Sequence, residues 1–151
     1  MDYTSAEQTN LDMLLTQIGA KVKSLHGLIC FVEFYINDTR LLYIYNLNAK
    51  EQYALQRILP YPIGAGVFSS PEEVVGYIKE DIRQFKNASN SKTFDAFIET
   101  GMKLHQTVHE MEDVFMHYNV PLDKLQEIQD ELERIKSVLN EIKNTSDKIV
   151  L

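Results

Sequence analysis

Leucine, isoleucine and valine recur three and four residues apart at Leu11, Leu14, Leu15, Ile18, Val22 and Leu25, a spacing that gathers them on one face of a helix. Thr4 and Glu7 stand three apart, as in a capping box, and Gly27 ends the pattern. The period then shortens. Leu28 to Ile36 and Leu41 to Leu47 are rich in β-branched and aromatic residues, and Asn37-Asp38-Thr39-Arg40 between them carries turn chemistry, which predicts an antiparallel hairpin. From Gln52 to Leu59 two signals compete: Tyr53, Leu55, Arg57 and Leu59 alternate like a strand, while Ala49 to Leu59 has good helix propensity. The alternation favours a third strand.

Pro60, Pro62, Gly64 and Gly66 predict a loop, and Ser70-Pro71-Glu72-Glu73 opens a helix with serine at the N-cap, proline at the first helical position and acid in the first turn. Val74, Ile78, Ile82 and Phe85 give that helix its buried stripe. Asn87-Ala88-Ser89-Asn90-Ser91 holds only small polar residues and reads as a linker. A long helix follows over Lys92 to Tyr118, Asn119-Val120-Pro121 breaks it, and the short break makes the final helix an antiparallel neighbour. In that helix Leu125, Ile128, Leu132, Ile135, Leu139 and Ile142 occupy strict a and d positions for three heptads, the pattern of a coiled-coil seam.

The fold class predicted is α+β: a small antiparallel sheet with flanking helices, then a long C-terminal antiparallel helical hairpin of coiled-coil character. The division expected is an α+β domain over 1–86, a linker over 87–91 and the hairpin over 92–149. The preceding helix, the α+β part and a second subunit are all open as what fills the seam.

Composition narrows the function. The 151 residues are 44% hydrophobic and 25% charged, the balance of a globular protein, and no apolar run approaches the ~20 residues that span a bilayer. The polar, acidic start at Met1 to Asn10 is unlike a signal peptide, which predicts a cytoplasmic location. The net charge of −7 is spread without a basic stripe, an argument against nucleic acid as a direct partner and against acidic membranes. Cys30 is the single cysteine and lies in the apolar run Leu28 to Val32, where a buried, inert thiol is expected.

Three clusters bear on chemistry. His105 and His109 stand four apart with Glu112 one turn on, so all three project from one side of a helix at metal-ligand spacing. The helix looks like that of the zinc proteases with one departure: Gln106 stands where their glutamate acts as general base, so proteolysis is rejected. On a helical wheel His105 and Glu112 fall inside the apolar sector with His109 at its edge, and a histidine hydrogen-bonded to Glu112 or a neighbouring element is the simpler reading. The loop Gly64 to Ser70 lacks the lysine of a phosphate-binding loop and the third glycine of a dinucleotide fingerprint. Phe31, Tyr35, Tyr43, Tyr45 and Tyr53 sit at alternating strand positions, so several could share an aromatic sheet face, first for packing and then for a partner.

The function expected is a non-enzymatic protein-interaction module, an adaptor, assembly factor or inhibitor, with no cofactor and with a protein partner. Its surface is the sheet face at Tyr35, Tyr43 and Tyr45 or the hairpin seam, and a homodimer is the assembly expected. Two alternatives stand beside it: an acidic antagonist of a nucleic-acid-binding protein from a phage or mobile element, and a metal-dependent enzyme or sensor at His105, His109 and Glu112.

Overall fold

A computed structural model describes residues 29–48 and 50–149; the helix predicted over 11–25 lies outside them. Four strands form an antiparallel meander, β1 (Ile29–Ile36), β2 (Thr39–Leu47), β3 (Tyr53–Leu59) and β4 (Ile63–Phe68), in the spatial order β1-β2-β3-β4. Three helices follow, α1 (Pro71–Ala88), α2 (Phe94–His117) and α3 (Leu122–Thr145). The class is α+β.

The first hairpin turns on two residues, Asn37 and Asp38, with Ile36 opposite Thr39. Asn37 takes φ 52, a left-handed conformation that asparagine tolerates better than most residues. The second turn is held by the Asn48 side chain, whose Oδ1 accepts the amides of Lys50 at 2.9 Å and Gln52 at 3.0 Å. Alternation outweighs helix propensity in β3, because Tyr53, Leu55 and Arg57 all point to the helix-covered face while β2 and β4 satisfy the backbone on both sides.

Residues 63–68 correct the sequence reading: the expected loop is strand β4. Its two prolines both precede the strand, so neither removes a ladder donor, and its glycines lie on a sheet edge beside a register shift at Leu55/Gln56, where glycine is tolerated. Gly66, at φ 124, sits opposite Leu55 and takes a backbone conformation that side chains disfavour.

Helix α1 begins as its sequence predicts. The Ser70 hydroxyl accepts the Glu73 amide at 3.3 Å, Glu73 reaches back to the Ser69 amide at 2.7 Å, and Pro71 occupies the first turn. It lies across β3 and β4 and buries Val74, Ile78 and Phe85 against Ile36, Leu41, Tyr43 and Leu55. Phe94 of α2 belongs to this same core. The segment expected as a linker is short and hydrogen-bonded: α1 runs on through Ala88, and the Ser89, Asn90 and Ser91 amides donate to the Phe85, Asn87 and Ala88 carbonyls.

Helices α2 and α3 are 24 residues each, about 36 Å of rise. Asn119, Val120 and Pro121 separate them, and beyond α3 the Ile149 carbonyl accepts from the Asn87 side chain at 3.4 Å. The chain thus runs out along α2 and returns along α3 to the level where α2 begins.

Candidate interaction surface

Amphipathic helices hold apolar residues for a neighbour to cover, and in α3 none of them is buried. Of the predicted seam only Leu125 is half-buried. Ile128 is 36% exposed, Ile135 43%, Leu132 49%, Ile142 51% and Leu139 60%. Close backbone approach between elements is concentrated in the sheet and at α1, so α2 does not close over this seam.

Helix α2 carries a matching stripe, the apolar sector of its helical wheel, whose heptad register the sequence reading did not pick out. Phe94, Phe97, Gly101, Leu104, Val108, Met111 and Phe115 follow one heptad register; beyond Phe94 none is buried, and Leu104 and Val108 are at least half exposed. The signal was the register itself, interrupted by Gly101. Polar side chains flanking both stripes pair within their own helices, as in Lys103–Glu99, Lys124–Glu127 and Arg134–Glu131. Glu131 pairs with Arg134, Lys136 with Glu133, and Asp130 accepts from Gln126, all within α3.

The base of α2 is fixed to the sheet by a polar and aromatic cluster. Asp81 of α1 accepts two hydrogen bonds from Arg57 Nη1, at 3.0 and 2.9 Å, and one from the Tyr43 hydroxyl at 2.8 Å. Burial, then that carboxylate, push the Tyr43 phenol well above the usual tyrosine range. The Arg57 guanidinium lies between the Tyr61 and Phe85 rings at 4.9 and 4.7 Å, a cation–π arrangement. Phe97 meets Tyr61 edge-on at 6.2 Å, and Gly101 permits the approach, since a Cβ there would lie 2.5 Å from Tyr61 Cε1.

The aromatic residues do not share one sheet face. Pairing of Val32 with Tyr43 and of Cys30 with Tyr45 places Tyr43, Tyr45 and Tyr53 on the helix-covered face and Phe31 and Tyr35 on the other. Tyr43 is fully buried under α1 and presents nothing to a partner. Tyr45 and Tyr53 are half-buried, and Tyr35 is exposed with Ile29, Phe31 and Val67 on the open face. Cys30, expected to be buried, is half-buried.

At the histidine cluster, His105 Nε2 and His109 Nε2 lie 3.1 Å apart with their rings edge to face. Glu112 does not join them, and among the described residues no three His, Cys, Asp or Glu side chains converge as metal ligands. An i, i+4 pair on one exposed helix supplies two donors at most. The core reading is corrected as well, since His105 is half-buried and meets His109 instead of Glu112.

Comparison with family models, with curated proteins and with solved structures returned no match. No helix among the described residues is long and apolar enough to cross a membrane.

Proposed function

We propose that this chain is a protein-interaction module of the adaptor, assembly-factor or inhibitor kind, that its binding element is the α2–α3 hairpin, and that a second copy closes the seam. The observation that carries this reading is the uncovered apolar face along two helices about 36 Å long, anchored at one end by Phe94, Phe97 and Tyr61. Across the width of two helices such a face offers on the order of 700 Å², close to the ~800 Å² per partner of a stable interface. Leu at a with Ile at d favours four strands over two in parallel coiled coils, and two hairpins side by side meet that preference as a four-helix bundle with two-fold symmetry. The intrahelical ion pairs flanking the seam keep its rim polar without closing it. A cytoplasmic setting goes with this reading, in keeping with a single cysteine.

Mass action supplies the test, because a hairpin completed by a second copy is more stable at higher protein concentration. The melting temperature followed by circular dichroism should rise over a hundredfold increase in concentration. A melting temperature independent of concentration would contradict the reading.

A further inference from the structure

Spacing alone puts His105 and His109 on one side of α2, and the fold adds how their nitrogens meet. The two Nε2 atoms lie 3.1 Å apart with the rings at 87° to each other. We propose that this pair is a two-point chelate for one divalent transition-metal ion, held by both Nε2 atoms with water in its other positions and with copper(II) bound most tightly.

The distance between the nitrogens is that of a chelate. Imidazole nitrogens bind such ions at about 2.0–2.1 Å, so two of them at this separation subtend roughly 100° at a shared ion. That angle falls between the ~90° of neighbouring square-planar or octahedral positions and the ~109° of a tetrahedral shell. Without an ion, one Nε2–H donates to the other nitrogen. The ion takes the place of that proton, which moves to Nδ1 of the same ring and leaves both Nε2 lone pairs free as ligands. Imidazole donors suit copper, nickel and zinc, and the general order of affinities places copper(II) first.

The surroundings make the pair accessible and electronegative. His109 is exposed and His105 half-buried, so an ion enters from solvent. Helix α2 carries Asp95, Glu99, Glu110, Glu112 and Asp113 against one lysine, Lys103, which raises the local concentration of cations. The i, i+4 row continues to Asp113 and His117, but His117 Nδ1 donates to the Asp113 carbonyl at 2.8 Å, and among the described residues no third ligand joins the pair. Neither histidine falls on the heptad register that runs through Leu104 and Val108, so the site is independent of the seam.

Titration calorimetry of the full chain with copper(II), nickel(II) and zinc(II) in a non-coordinating buffer tests the assignment. One copper(II) should bind per chain, more tightly than the other two ions, and electron paramagnetic resonance of the copper form should show two imidazole nitrogens. His105→Ala and His109→Ala should each weaken binding at least about tenfold, because the second ligand no longer binds within the same molecule. Alanine favours the helix at both positions, so the circular dichroism should be kept. A chain carrying His26→Ala and His117→Ala should bind as the unmodified chain does. Two histidines at the wrong spacing, made by His109→Ala with Glu110→His, should not recover the loss, since five residues carry the second ring well past one full turn. The proposal is overturned if no copper(II) binds, if binding survives His105→Ala with His109→Ala, if the wrongly spaced pair binds as tightly, or if the resonance shows a single nitrogen.

Discussion

The sheet with α1 and the α2–α3 hairpin are both built from amphipathic segments, yet they end in opposite states. In the first, Leu41 and Tyr43 are wholly buried and Val74, Ile78 and Phe85 nearly so, because strands and helix meet face to face within one chain. In the second, α3 buries nothing and Leu139 is 60% exposed. An apolar stripe states a need for a neighbour without naming it. Where the chain supplies the neighbour the stripe becomes core, and where it does not the stripe stays exposed.

The sharpest break in the comparison comes from the polar anchor. Asp81→Ala strips the buried Arg57 guanidinium of its carboxylate and should cost about 3–5 kcal/mol, read as a lower urea midpoint. Leu55→Ala in the core should cost ~2–5 kcal/mol. Leu139→Ala, measured where the chain is dilute, should change stability by less than ~0.5 kcal/mol. A large loss at Leu139 in dilute protein would mean that the seam is covered within the chain.

How far each region was legible in the sequence follows the same division. Local chemistry was readable: Ser70-Pro71-Glu72-Glu73 starts α1, Asn37-Asp38 turns the first hairpin, and Pro121 parts the long helices. Strand β4 was not, because its glycines carry no side chain to alternate and only pairing with β3 reveals it. Tyr35 and Tyr43 could not be assigned to opposite faces until the two-residue turn set the register, a step that moves every side chain to one side or the other. The heptad positions of α3 were plain, but their exposure is a property of what lies opposite, which a periodic pattern does not contain. The histidine pair was found by spacing, and a third ligand is a matter of tertiary placement.

Smaller effects sharpen the anchor. Gly101→Ala forces a Cβ into the Tyr61 ring and should cost about 1–3 kcal/mol as overpacking does; Tyr61→Leu in the same chain should recover part of it. The Tyr43 phenol is held protonated in the folded chain by burial and by Asp81, while the unfolded chain releases that proton near pH 10. Stability from this group is therefore complete below about pH 10 and declines as pH rises above it. Tyr43→Phe should flatten that alkaline decline in a pH series of melts. Arg134→Ala, which removes an exposed pair with Glu131, should shift stability by no more than ~0.5 kcal/mol.

The central claim, that the open seam is a surface for a second copy, is tested most directly by multi-angle light scattering on the full chain beside a Leu132→Asp, Ile135→Asp variant. Both positions are exposed in the single chain, so the variant should keep its helical circular dichroism. The account predicts a mass approaching twice 17.5 kDa for the unmodified chain as concentration rises and a single-chain mass for the variant throughout. A monomeric mass for the unmodified chain at high concentration, or a variant that still dimerises, would contradict it.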